Sequence, residues 1–228
     1  TIVFGPDIPA TGDMAGLWLF AAAIVTVGIG AFGVLGARRL MPLIAFSVLG
    51  SMGTLMLAIS AFTPGATTAA LYYLVHSTFA AAALFLIADL VVTRRPGDTL
   101  TTLPATVQNG LFAALFFGAA IGMAGMPPLS GFLGKLFVLD NLRDPAEIGW
   151  AWTAILVGSL FTIVGFARAG SALFWKSTAF VLPENVISDD EEKEEVPITR
   201  DPAKAWEVAP TMAAIGMLAA LSIFAGPA

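Results

Sequence analysis

Lys135 and His76 are the two side chains whose types and settings could move protons. Lys135 is the only basic residue well inside an apolar stretch, and holding an ammonium in hydrocarbon costs about 2.5–3.5 kcal/mol even on lenient insertion scales. Something must compensate that charge, or the amine must titrate. Removal from water favours the neutral amine and brings proton exchange within reach near neutral pH. The competing reading is a lysine that snorkels to the outer interface near Asn141. His76 is the single histidine and lies about 15 Å along its own apolar run at 1.5 Å per residue, near mid-membrane. An imidazole with an ordinary pKa of about 6.5 suits a relay. A neutral histidine bonded to a neighbouring helix is the alternative. Tyr72, one turn back, and Ser77 and Thr78, next in sequence, could hold water or extend a hydrogen-bond chain. Ser130, Asp89 and Asp140 are weaker pathway candidates. Asp89 reads equally as a solvated carboxylate beside Arg94 and Arg95, and Asp140 as one facing water with Arg143 and Asp144.

The elements that must position these residues are membrane helices. The chain is 57% hydrophobic and 12% charged, with mean hydropathy +0.86, whereas soluble domains carry roughly 25% charged residues. A span needs about 20 mostly apolar residues. Six stretches qualify: Met14–Gly36, Pro42–Phe62, Ala66–Val92, Thr106–Asn141, Ile148–Trp175 and Val208–Phe224. The expected fold is therefore an all-α integral membrane protein of about six transmembrane helices. Its expected parts are a five-helix repeat over 1–176, an acidic cytoplasmic loop over 177–207 and a final helix over 208–228.

Two patterns support those limits. The tryptophans Trp18, Trp150, Trp152, Trp175 and Trp206 all fall at span ends, as in an interfacial aromatic belt. Alternating spans also sort the basic residues. Arg38, Arg39, Arg94, Arg95, Arg168, Lys176, Lys193, Arg200 and Lys204 fall on one side, and only Arg143 on the other. The positive-inside rule makes the first side cytoplasmic and puts both ends of the segment outside. Small residues Ala80 to Ala83 fit close helix packing.

The fourth span is too long for one crossing. As a single helix it would run about 54 Å, against a hydrocarbon core of roughly 30 Å. Its middle reads Gly122-Met123-Ala124-Gly125-Met126-Pro127-Pro128-Leu129-Ser130-Gly131. Pro127 and Pro128 remove amide donors and clash with the preceding turn, and the glycines relax the backbone. Two half-helices joined by an unwound stretch are expected, an arrangement that recurs at ion sites in transporters. A simple proline kink is the alternative.

Several chemistries are excluded or unsupported. There is no cysteine and one histidine, which removes disulfides, thiolate sites and multi-histidine metal or haem ligation within the chain. No Walker loop, dinucleotide fingerprint or catalytic triad is present, and no cofactor is implied. No basic patch supports nucleic-acid binding. The net charge of −5 comes mainly from the run Asp189–Glu195, which reads as a solvated loop or a partner-docking segment. The chain opens on Thr1 with no charged n-region, so no signal peptide is expected, and it could be a fragment of a longer polypeptide.

The stretch Leu71-Tyr72-Tyr73-Leu74-Val75-His76-Ser77-Thr78, the run from Ala82 to Leu90 and the motif from Ala124 through Pro127-Pro128 to Lys135 resemble the proton-translocating antiporter-like family. That family includes the Mrp-type (Pha/Mnh) multisubunit cation/proton antiporters and the large membrane subunits of respiratory complex I. The tyrosine–histidine block looks most like the D-type subunits of the Mrp antiporters. The resemblance covers about residues 14 to 225. It implies a fourteen-helix fold with two inverted five-helix repeats, of which this chain resembles the C-terminal repeat plus the last helix. It further implies that Lys135 is the broken-helix lysine of the outward half-channel and His76 the central relay residue. Partners so implied are the missing N-terminal half, other subunits of a bacterial inner-membrane complex, the lipid bilayer, protons, and Na⁺ or K⁺. A proton-pumping subunit of an NADH:quinone oxidoreductase or membrane-bound hydrogenase is the alternative. The chain departs from some relatives at Phe79 and the alanines after it, where they carry a lysine. Proton passage there would need water or another partner.

Overall fold

A computed structural model describes residues 12–95, 97–144, 147–178 and 201–225. Its helices are α1 Gly12–Gly36, α2 Leu40–Ser60, α3 Pro64–Val92, α4 Asn109–Ala124, α5 Ser130–Asn141, α6 Ile148–Gly170, the short turn α7 Lys176–Thr178 and α8 Ala205–Phe224. A π-helical segment, Ser171–Trp175, joins α6 to α7. Among the described residues, five helices are long and apolar enough to cross a membrane, and α4 is a shorter apolar helix. The chain is a multi-pass membrane protein. The acidic run 189–195 lies outside the described residues.

The expected break in the fourth span is present, but a glycine ends the first half. Gly125 takes φ 78°, a conformation that costs a residue with a Cβ. Met126 N–H then bonds to Ile121 O at 3.1 Å and Gly125 N–H to Gly122 O at 3.1 Å, the paired bonds of a Schellman ending. Pro127 and Pro128 follow in the connection, and Leu129, with φ −83° and ψ 160°, leads into α5. The prolines keep the chain from resuming helix at once, after Gly125 has already stopped it.

Other limits shift by a few residues for local reasons. Helix α3 begins at Pro64 because Thr63 caps it, its hydroxyl accepting from Ala66 N–H at 3.2 Å, with proline at the first helical position. Helix α4 begins at Asn109 rather than Thr106. Gln108 leaves the helix to exchange bonds with the backbone of Ala203. Helix α8 begins at Ala205, where the Glu207 carboxylate accepts from Lys204 N–H at 3.0 Å. The span read as one helix over Ile148–Trp175 contains the π segment. Carbonyls there accept from side chains of other elements: Leu173 O from Arg95 at 2.8 Å and Phe174 O from Asn109 at 3.0 Å.

Helices α1 and α2 pack through glycine. A Cβ on Gly30 would lie 2.4 Å from Gly50 N, and one on Gly53 2.7 Å from Val27 N. Small residues allow such close backbone approach where apolar burial cannot drive association. Arg39, Arg94, Arg95 and Arg168 gather at one end of the bundle. Arg168 donates to Ala37 O at 2.6 Å just past α1, Arg95 to Leu173 O, and Arg94 pairs with Glu207 at 2.5 Å. Arg39 pairs with Asp98 at 2.7 Å. Cationic side chains placed on the last carbonyls of helices complement the negative end of the helix dipole.

Candidate functional site

Lys135 sits in α5, across the break from the end of α4. Its ammonium donates to the carbonyl of Ala124 at 2.8 Å and to the Ser159 hydroxyl of α6 at 2.8 Å. Ala124 is the last residue of α4, so its carbonyl has no helical partner, and the lysine supplies one. Gly125 makes the approach possible: a Cβ there would lie 2.7 Å from Lys135 Cδ and 3.0 Å from Nζ. The side chain is partly buried.

His76 is fully buried in α3 and meets the break from the other direction. Its Nδ1 and the Ser130 hydroxyl are 2.9 Å apart, and Ser130 opens α5. The Gly122 carbonyl oxygen and His76 Nε2 approach each other over Gly131. A Cβ on Gly131 would lie 2.1 Å from that carbonyl oxygen and 2.8 Å from His76 Nε2. Only glycine fits between the half-helices and the imidazole. Ser130 can donate or accept, and a carbonyl only accepts, so this pair can serve either the neutral ring or an imidazolium.

Between these residues lies a cluster of buried hydroxyls. Ser51 of α2 bonds Ser77 at 2.6 Å and donates to Tyr73 at 3.2 Å. The Tyr73 and His76 rings stand 5.7 Å apart. Lys135, Ser51, Tyr73, Ser47, Thr54, Ser159 and Thr162 line one small cavity of about 20 Å³, room for a single water molecule.

The sequence-derived candidates divide accordingly. The break gathers Lys135, His76, Ser130, Pro127, Pro128 and Gly131, and Ser77 joins the hydroxyl cluster. Tyr72 turns elsewhere: its hydroxyl donates to Leu221 O at 3.1 Å, and its ring packs on Phe137 at 5.3 Å. Thr78 is exposed and bonds back to Leu74 O. Asp89 is exposed at the arginine-bearing end of α3, on a groove shared with Arg94, Lys204 and Glu207. Asp140 is exposed at the opposite end, paired with Arg143. Sequence reasoning missed Tyr73, Ser47, Ser51, Thr54, Ser159 and Thr162. Their signal was helical spacing: Ser47, Ser51 and Thr54 share one face of α2, and Ser159 and Thr162 share one face of α6.

The comparisons with known proteins agree with this architecture. Residues 2–162 match the family described as NADH:quinone oxidoreductase/Mrp antiporter, TM. The chain is similar to the D-type subunit of a probable K⁺/H⁺ antiporter of Rhizobium meliloti (strain 1021), 29% identical, with 100% of this chain and 44% of that protein covered. It is also similar to the D-type subunit of a Na⁺/H⁺ antiporter of Bacillus subtilis (strain 168), 27% identical over 77% of this chain and 35% of that protein. Its fold is similar to that of a chain in the Mrp complex from Dietzia sp. DQ12-45-1b, with TM-score 0.74 and 24% identity, covering 92% of this chain and 45% of that one. The chain thus spans less than half the length of these relatives. With a helix broken at Gly125 and a family match over most of its length, the chain belongs to the NADH:quinone oxidoreductase/Mrp antiporter transmembrane family.

Proposed function

We propose that this chain is the C-terminal part of a D-type subunit of a multisubunit Na⁺/H⁺ or K⁺/H⁺ antiporter, and that it carries protons between Lys135 and His76. The observation that carries the reading is the setting of Lys135. Its amine is partly buried beside an interrupted helix, held by one carbonyl and one hydroxyl, and opens on a cavity of hydroxyls. An ammonium has three N–H donors. Two are placed on Ala124 and Ser159, which leaves one for exchange. Within reach of the cavity, Tyr73, Ser51 and Ser77 offer hydroxyls that can donate or accept, and the Tyr73 ring neighbours His76. His76, able to bond Ser130 and Gly122 in either protonation state, passes the proton along the midplane.

In this reading the chain is a transporter subunit with no reaction chemistry of its own. The arginine-bearing end of the bundle faces the cytoplasm of a bacterial inner membrane, with the acidic segment over 177–207 on that side and both ends of the segment outside. It works with the remainder of its own protein and with other subunits.

The test is Lys135→Ala in the full-length protein within its assembled complex, reconstituted in vesicles. Cation-driven proton flux is expected to fall at least tenfold. Unchanged flux would make the chain a scaffold. A second reading, a proton-pumping subunit of a quinone-reducing complex, is favoured by the family's shared description. Genes for redox subunits beside this one would select it, and genes for small antiporter subunits would select the first.

A further inference from the structure

The hydroxyls around the Lys135 cavity are not equivalent. Ser159 donates its hydrogen to Ile155 O at 2.7 Å, Thr162 to Gly158 O at 2.8 Å, Ser47 to Ile44 O at 2.7 Å and Thr54 to Gly50 O at 3.2 Å. Each hydrogen is committed to the hydroxyl's own helix, so what the oxygen offers outward is lone pairs. Ala124 O is likewise an acceptor only. The amine of Lys135 therefore meets two oxygens, Ala124 O and Ser159 Oγ, that can take hydrogen bonds and give none.

This has a geometric consequence. A neutral amine has two N–H groups and one lone pair, and an ammonium has three N–H groups. With two N–H groups placed on Ala124 O and Ser159 Oγ, the remaining tetrahedral position is the one that gains or loses the proton. Lys135 lines the cavity it shares with Ser51 and Tyr73, and that position is left for the cavity in both protonation states.

We propose that Ser159 is a positioning residue, which with the Ala124 carbonyl aims the exchangeable position of the Lys135 amine into the hydroxyl-lined cavity. The cavity holds one water molecule as the immediate proton donor and acceptor. The oxygens of Ser47, Thr54 and Thr162 are acceptors for its two hydrogens; a water lone pair meets the third N–H of the ammonium, and one water O–H turns to the lone pair of the neutral amine. Proton transfer breaks the third N–H bond and forms an O–H bond on that water. The water passes one of its own hydrogens to the Tyr73 hydroxyl oxygen on the same cavity as Tyr73 releases its hydrogen onward. The reverse recharges the amine, and the two bonds that hold the amine do not change. This inference rests on the reading of Lys135 as the proton-exchanging group.

The test compares Ser159→Ala, Ser159→Cys and Ser159→Thr in the full-length subunit of the assembled complex, by proton flux in vesicles across pH, normalised to complex content. Losing the acceptor withdraws support from the charged amine. Ser159→Ala is expected to lower maximal flux at least tenfold and to move the pH midpoint downward by half a unit or more. Ser159→Cys, close in size and a weak acceptor, moves both the same way and reads the effect if the alanine variant does not assemble. Ser159→Thr, which keeps the hydroxyl, restores the midpoint. A purely structural role would lower complex content and leave the midpoint in place. Wild-type flux and midpoint in Ser159→Ala or Ser159→Cys would overturn the proposal. Lys135→Ala, run alongside, separates the two ideas. If it transports, the functional reading fails. If it is inactive while the Ser159 variants behave as wild type, only the role of Ser159 falls.

Discussion

The ammonium of Lys135 caps the helix on the far side of the break, donating to the carbonyl of Ala124 at 2.8 Å. A cation on the last carbonyls of a helix stabilises it by about 0.3–1 kcal/mol, more when partly buried. The group assigned to carry the proton therefore also holds the two half-helices together, and its protonation state bears directly on the stability of the break.

This dual role separates two substitutions. Lys135→Arg keeps a cation but one that does not release its proton in proteins. It is expected to abolish proton flux while preserving most of the thermal stability of the complex. Lys135→Ala should lose flux and about 1 kcal/mol of stability as well. Vesicle flux and thermal unfolding, measured together, check both.

Gly131→Ala should be among the most damaging small changes. Its Cβ would lie 2.1 Å from Gly122 O and 2.9 Å from His76 Cε1. Relief requires α4, α5 and the imidazole to move apart, an overpacking cost of about 1–3 kcal/mol. Gly110→Ala, with nothing within 4 Å of the added atom, is the control and should be neutral or slightly stabilising. Equal thermal stability in the two variants would show that the packing at the break is looser than described.

The buried hydroxyls should show coupling. Ser51→Ala leaves both Ser77 and Tyr73 short of a partner, at a cost of about 1–3 kcal/mol. Tyr73→Phe removes one hydroxyl from the same cluster. The double variant should cost less than the sum of the singles, because they share a bond. Strict additivity in thermal unfolding would argue against the cluster. Tyr72→Phe, which loses one half-buried bond to Leu221 O, should cost about 0.5–1.5 kcal/mol.

Arg95→Ala tests the far end of the bundle. The guanidinium is buried and holds Leu173 O at 2.8 Å and Thr101 O at 3.0 Å. Removing it should cost about 1.5–3 kcal/mol or more, since bonds to charged groups are the stronger ones. The loss should appear in unfolding temperature, with the pH midpoint of proton flux unmoved. A shifted midpoint would mean that this end of α6 communicates with Ser159.

The sequence by itself determined the apolar spans and the stretch in which the fourth of them breaks. Those features depend on local quantities: the length of apolar runs, the distribution of arginine and tryptophan, and the backbone chemistry of glycine and proline. It also singled out Lys135 and His76, because ionisable groups in apolar runs stand out by composition alone. Only the tertiary structure decided what those residues touch. The oxygens around Lys135 come from α4 and α6, and the cavity adds α2 and α3, elements far apart in the chain. Tyr72 and Tyr73 are adjacent in sequence and both lie within about a turn of His76, yet rotation along α3 sends one toward α8 and the other into the hydroxyl cluster. Serine and threonine are ordinary residues in apolar helices, so the helical spacing of Ser51 and Ser159 with their neighbours marks a polar face but names no site until neighbouring helices bring their oxygens to one point.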